Sequence, residues 1–283
     1  YNTVIAGINI AGDRYFYVNP LEVVPEFCTE HTYMEHVKPV RQKWFGVACC
    51  PPNVGRTLAS LGQYIYAEDE YGVYINQFIS STADTEVRES RLKIKMNSTL
   101  LQDGKVQIEV QSSGPGNLNI RIPWYSGKCE CVQNGISIEI QPEKGYQRLS
   151  ISPGDTHISL DFHVNPRWMG ANNGVRADAG KAALMKGPLV YCLEEKENGR
   201  YLSEIFIEEN TSIEETAPAE ELVGNVPTLS YKGIRVRNKG AAGENQLYGN
   251  VELEKEEVSL QAVPYCMWNN RGEGEMLVWH KLR

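Results

Sequence analysis

The order of residues predicts a mainly β chain: a short helical part followed by two antiparallel β units. Three observations carry that expectation. From Tyr71 onward, short segments alternate apolar and polar residues with a period of two, the pattern of strands buried on one face. Gly, Pro, Asn and Asp separate them at the spacing of an antiparallel sandwich or jelly roll. Before Tyr71, Val54, Leu58, Leu61 and Ile65 recur at helical spacing.

Taken in order, residues 1–20 read as a helix end followed by a tight hairpin. Ala11-Gly12-Asp13-Arg14 supplies the turn between Ile8-Asn9-Ile10 and Tyr15-Phe16-Tyr17-Val18. Asn19-Pro20-Leu21-Glu22 opens a long irregular stretch to Arg41 that carries Glu22, Glu26, Glu30, His31, Glu35 and His36. A loop of that length is usually functional or packed against something else. His31 and His36 with their neighbouring glutamates offer metal donors, but their separation is not the helical i, i+4. The plainer reading is solvated loop histidines. Trp44-Phe45-Gly46 either packs the following loop or walls a sugar ring. Asn53 then caps a helix that runs to about Tyr66.

Strands are expected at 73–79, 91–96, 106–110, 118–123, 137–140, 147–151 and 157–162, with firm turns at Asn134-Gly135 and Pro153-Gly154-Asp155. A hinge over 165–179 leads to a second strand-rich unit. That unit begins with 181–185 and 189–193 and closes with 258–265 and 276–280. The acidic stretch holding Glu208, Glu209, Glu214, Glu215, Glu220 and Glu221 reads as an exposed loop, and Trp268–Gly274 as a polar turn. No internal repeat of fixed period is found.

Composition limits the partners. A net charge of −8 and a pI near 5.3 argue against a nucleic-acid partner, which needs a basic face. No run of eighteen apolar residues occurs, so no membrane span is expected. The chain starts Tyr1-Asn2-Thr3-Val4 and is expected to be a mature or truncated piece. Its seven cysteines, at 28, 49, 50, 129, 131, 192 and 266, are odd in number and widely spread. They favour a reducing compartment or an unpaired functional thiol over a disulfide framework, which leans towards a cytoplasmic location without fixing it.

The chemistry concentrates at Val47-Ala48-Cys49-Cys50-Pro51-Pro52-Asn53. Two thiols on a stiff loop before a helix lie where the helix dipole favours the thiolate, the form that attacks carbon or binds metal. The alternative is two buried structural cysteines. Cys129-Glu130-Cys131 on an extended segment puts two thiols on one face but lacks a second ligand pair. Cys192 and Cys266 read as core residues. There is no Gly-rich phosphate loop, no G-x-S-x-G and no metal-ligand quartet, so spacing alone leaves function open.

Several motifs together resemble the bacterial β-L-arabinofuranosidases, a glycoside hydrolase family. They are Tyr15-Phe16-Tyr17-Val18-Asn19-Pro20-Leu21-Glu22, Trp44-Phe45-Gly46 leading to Cys49-Cys50-Pro51-Pro52-Asn53, and Leu58 to Tyr66. Ile120-Arg121-Ile122-Pro123-Trp124, Lys186 to Glu194, Ala262-Val263-Pro264-Tyr265 and Trp268-Asn269-Asn270-Arg271-Gly272 continue it in the family's order. The resemblance implies an (α/α)6 barrel followed by two β-sandwich, jelly-roll-like domains. Residues 1–67 would then be the end of the catalytic barrel. Residues 68–170 would be the first sandwich, with 275–283 offered as its closing strand, and 171–274 the second.

The resemblance also implies a retaining mechanism on arabinofuranosides with a zinc-bound cysteine thiolate as nucleophile. Cys49 would be nucleophile and zinc ligand, and Cys50 a zinc ligand. The family's other two ligands, a Glu and a Cys in a Glu-x-Cys motif, and its acid/base Glu lie well upstream of the double cysteine. Glu26-Phe27-Cys28 has that form but the wrong place. The expectation is therefore a C-terminal portion that is inactive alone, holds zinc weakly or not at all, and self-associates through surface a missing barrel would cover. Two other readings are kept. One is a non-catalytic carbohydrate-binding or scaffolding sandwich module using Trp124, Tyr125, Trp168 or Trp268. The other is a redox or metal-storage role for the vicinal thiols.

Overall fold

Alternating segments become strands in the computed structural model of the chain, which describes residues 1–30, 36–47, 49–219, 222, 224–241 and 247–283. The chain forms two units, one from residues 1–48 with 166–283 and one from 49–165. The first unit begins with helix α1 (Val4–Gly7), the two-residue strand β1 (Glu22–Val23) and helix α2 (Pro25–Glu30). The expected hairpin survives as a single Ile8–Tyr15 bridge, because Tyr15 also pairs with Gln42 and the Phe16 N–H donates to Gly7. Its turn is real: Gly12 has φ 74°, and Asn9 Oδ1 accepts from the N–H groups of Asp13 and Arg14.

The second unit carries helices α3 (Cys50–Ala59) and α4 (Gly62–Ile65) and ten strands. These are β2 (Tyr66–Asp69), β3 (Gly72–Ile75), β4 (Ser81–Val87), β5 (Ser90–Thr99), β6 (Lys105–Ser112), β7 (Gly116–Arg121), β8 (Glu130–Gln133), β9 (Ile136–Ile138), β10 (Tyr146–Ile151) and β11 (Gly154–Asp161). They make a four-stranded sheet, β10-β7-β3-β2, and a six-stranded sheet, β4-β5-β6-β11-β8-β9. The strict alternation of β5 and β6 sends Leu92, Ile94, Met96, Val106, Ile108 and Val110 to the same side. There they meet Val73, Ile75, Leu118, Ile120, Leu149 and Ile151 of the other sheet in one apolar core. Gly72 (φ 147°) lets the β2–β3 turn pass β7: a Cβ there would lie 2.4 Å from the Asn117 carbonyl oxygen.

The first unit resumes with β12 (Pro166–Gly170), β13 (Lys181–Lys186), β14 (Leu189–Glu194), β15 (Ile205–Ile207), β16 (Ile213–Thr216), β17 (Thr228–Asn238), β18 (Leu253–Pro264), β19 (Met276–Leu277) and β20 (Trp279–Leu282). Six of these close on themselves in the order β13-β14-β18-β17-β15-β20 and back to β13, a small barrel without free edges in that ring. β1 pairs with β19, so the N-terminal segment is sewn into this sheet. Arg41 fastens it further. Its buried guanidinium donates to the carbonyls of Ala6 (2.8 Å) and Trp268 (2.6 Å) and lies over the Phe16 ring, which stacks on Trp268.

Several elements differ from expectation. The single helix from Asn53 to Tyr66 is two helices, and α3 starts three residues earlier, at Cys50. Prolines are tolerated there because first-turn N–H groups have no intrahelical partner anyway. The irregular stretch 22–41 contains β1 and α2, and the hinge contains β12, which pairs with β13. Glu214 and Glu215 sit on β16, an added strand whose exposed side suits charge; Glu220 and Glu221 lie outside the described residues. Trp268 of the polar turn is buried, as is the Arg271 side chain, which pairs with Glu194 and Glu197. β19 and β20 take their partners from β1, β13, β14 and β15 rather than from 68–170. No helix among the described residues is long and apolar enough to cross a membrane.

Candidate active site

Both thiols stand at the start of α3. Cys49 is its N-cap, with φ −74° and ψ −29°, and Cys50 opens the first turn. The Cys49 side chain is exposed and that of Cys50 half-buried, with their Sγ atoms 3.9 Å apart. Two sulfurs bound to one tetrahedral zinc at about 2.3 Å would lie roughly 3.8 Å from each other. The pair therefore fits two corners of a zinc tetrahedron. Among the described residues no group of three or more His, Cys, Asp or Glu side chains is placed to hold a metal. Asn53, expected as the cap, instead lies within the helix, where its amide Nδ2 donates to the Cys49 carbonyl at 2.8 Å.

In the first unit, the residues that precede the cysteines in the chain line a cleft of about 530 Å³. His36, Lys38, Gln42, Trp44, Phe45 and Val47 form its wall. Tyr17 stacks on His36 (4.3 Å between ring centroids) and meets Phe45, which also packs on Tyr15. Trp44 keeps 64% of its surface exposed. An aromatic wall beside mixed polar groups is what a sugar ring needs, with apolar faces against rings and hydroxyls against donors and acceptors.

The remaining sequence candidates fall elsewhere. His31 and Glu35 lie outside the described residues. Glu26 and Cys28 occupy α2, where two residues turn roughly 200° about the axis, so they face opposite ways. Glu26 is exposed and pairs with Arg200, while Cys28 is buried and its thiol pushed up by that burial. Burial drives the Cys129 thiol up to about 12 and that of Cys131 to about 11, and among the described residues no third metal donor joins them. Cys192 and Cys266 are core residues, their thiols raised by burial. Trp268 is buried, Trp168 half-buried with its indole N–H on the Thr211 carbonyl, Tyr125 half-buried and Trp124 exposed. No disulfide forms among the described residues.

Three domain models of one family match in succession. Residues 1–63 match the beta-L-arabinofuranosidase GH127 catalytic domain, 72–163 the GH127 middle domain, and 166–281 the glycoside hydrolase family 127 C-terminal domain. The chain belongs to glycoside hydrolase family 127. A non-reducing end beta-L-arabinofuranosidase of Bifidobacterium longum subsp. longum is 34% identical over 294 residues, which cover 99% of this GH127 chain and 44% of that protein. The crystal structure of Ara127N-Se, a GH127 beta-L-arabinofuranosidase from Geobacillus stearothermophilus T6, superposes with a TM-score of 0.90 at 37% identity. It covers 99% of this chain and 44% of its own. The GH127 beta-arabinofuranosidase BT3674 gives a TM-score of 0.84 at 26% identity, with the same coverage. The chain thus spans under half the length of these relatives. α3 and both cysteines lie in the stretch that matches the GH127 catalytic domain.

Proposed function

We propose that the chain is the C-terminal part of a retaining glycoside hydrolase that releases β-L-arabinofuranose or a related sugar, with Cys49 as nucleophile. The observation that carries this reading is the pair of sulfurs 3.9 Å apart at the head of α3 in a GH127 chain. Their unequal exposure divides the labour. Cys49, the exposed one, can reach a sugar carbon, while Cys50 stays a ligand.

Cys49 and Cys50 would hold zinc, which when bound keeps thiols deprotonated at neutral pH. The Cys49 sulfur displaces the glycosidic oxygen at the anomeric carbon and forms a glycosyl thioether; water then displaces the sulfur, and two inversions retain configuration. A carboxyl must protonate the departing oxygen and later take a proton from the water. In this reading that carboxyl and the remaining ligands belong to the part of the relatives' length that this chain does not span. Residues 1–67 end a helical catalytic barrel, and the two sheets of β2–β11, between residues 66 and 161, form one β-sandwich.

Two thiolates with open positions bind zinc weakly. The chain alone is therefore expected to lose zinc on dialysis and to leave an aryl β-L-arabinofuranoside uncleaved. Turnover by the purified chain, abolished by Cys49→Ala, would refute the incompleteness of the site. A second reading, a carbohydrate-binding module, is favoured by Trp124, an exposed aromatic ring set against Tyr125. Calorimetric binding of arabino-oligosaccharides that is lost in Trp124→Ala and kept in Cys49→Ala would support it.

A further inference from the structure

In the first turn of α3 two residues stand before a proline. Cys50 precedes Pro51 and Pro51 precedes Pro52, and a proline ring pushes the residue before it away from helical backbone. Cys49 nonetheless sits at φ −74° and ψ −29°, where an N-cap is ordinarily extended. No side chain caps the turn, and its prolines bring no N–H. Asn53 is the residue that grips it, with Nδ2 donating to the Cys49 carbonyl at 2.8 Å. The oxygen of the same amide accepts from Arg56 Nη2 at 3.3 Å, which fixes the way the amide points.

We propose that Asn53 is a positioning residue for the sulfur pair: by holding the Cys49 peptide in the helical direction, its amide keeps both Sγ atoms at the separation one thiophilic ion requires. This rests on the reading of Cys49 and Cys50 as joint ligands. Asn53 acts through the peptide it holds rather than on sulfur. The donor matters rather than the bulk, because Asn53 is exposed and α3 has no buried residue for it to pack against.

Cadmium titration of the 283-residue chain tests this, with the thiolate-to-cadmium charge-transfer band reporting sulfur ligation. Asn53→Leu keeps the side chain's size and favours the helix, but removes the donor. It is expected to weaken cadmium binding about tenfold, the usual cost of losing a ligand's outer partner. Thr57→Val removes a different hydrogen bond on the same helix, from Thr57 Oγ1 to the Asn53 carbonyl, and is expected to bind as the unaltered chain does. Asn53→Leu binding cadmium as tightly as the unaltered chain would overturn the proposal. So would an equal loss in Thr57→Val, since the effect would then be one of helix stability. In either case a band that disappears in Cys49→Ala would leave the joint-ligand reading standing. A band unchanged by Cys49→Ala would overturn both.

Discussion

At the scale of single residues, the interior polar groups make the sharpest claims. His280 is fully buried, with Nδ1 against the Val278 carbonyl (3.0 Å) and Nε2 against the Tyr231 hydroxyl (2.6 Å). The neutral ring that donates from Nδ1 and accepts at Nε2 satisfies both. Burial lowers its pKa to about 4 from the ordinary 6.5. Between those values the unfolded chain binds the proton and the folded chain does not, so stability falls as pH drops through that window and levels off below it. The whole effect is on the order of 3 kcal/mol. Melting temperature measured from pH 7 to 5 should fall, and His280→Gln should flatten the slope; an equal slope in both would contradict the assignment. Arg41 makes a second claim. Burial lowers its pKa to about 10, so it remains a cation at neutral pH, held by two carbonyls and two aromatic faces. Arg41→Ala should cost about 2–3 kcal/mol in urea unfolding, because the Ala6 carbonyl loses its side-chain donor and the Trp268 carbonyl keeps just the longer contact with Asn270 Nδ2 at 3.4 Å. Neither residue could be read in advance: a lone Arg in an irregular stretch gives no sign of the distant carbonyls it will meet.

Secondary elements were the most legible level where one face is buried. β5 and β6 announce themselves because every second side chain enters the shared core, and the alternation is uninterrupted. β17 gave no such signal, because inward positions are taken by Gly233, which abuts Leu260 and the Phe206 carbonyl, and by Arg235. The Arg235 guanidinium donates to the carbonyls of Asn198, Arg200 and Tyr201, a polar interior that no hydropathy pattern reports. The head of α3 differs for another reason: the segment before Asn53 reads as a stiff loop, yet its prolines fit the first turn, the one part of a helix that does not need their N–H. Gly72 offers the test at this scale. Any Cβ must displace the Asn117 carbonyl, and φ is unfavourable for an L residue, so Gly72→Ala should lower stability by roughly 2 kcal/mol or more. A neutral result in chemical denaturation would mean that the β2–β3 turn is not held against β7 as described.

For the molecule as a whole, a mainly β chain was open to reading from sequence, whereas the closed barrel was not. Closure depends on β20 pairing in parallel with β15 while also lying antiparallel to β13, a long-range register that local pattern does not encode. The exposed apolar run of Leu247, Tyr248, Val251 and Leu253 offers a surface through which copies of the chain can associate. Sedimentation of a chain with Leu247 and Val251 changed to Ser should shift towards monomer if that surface serves it, and an unchanged distribution would exclude this segment. In the proposed function, two sulfurs at the head of α3 would share one metal, and one of them would be the nucleophile. Zinc K-edge absorption on the chain in excess protein tests it most directly. Two sulfur scatterers at about 2.3 Å, falling to one in Cys49→Ala, are predicted. A first shell made only of nitrogen and oxygen, indifferent to that substitution, would contradict it.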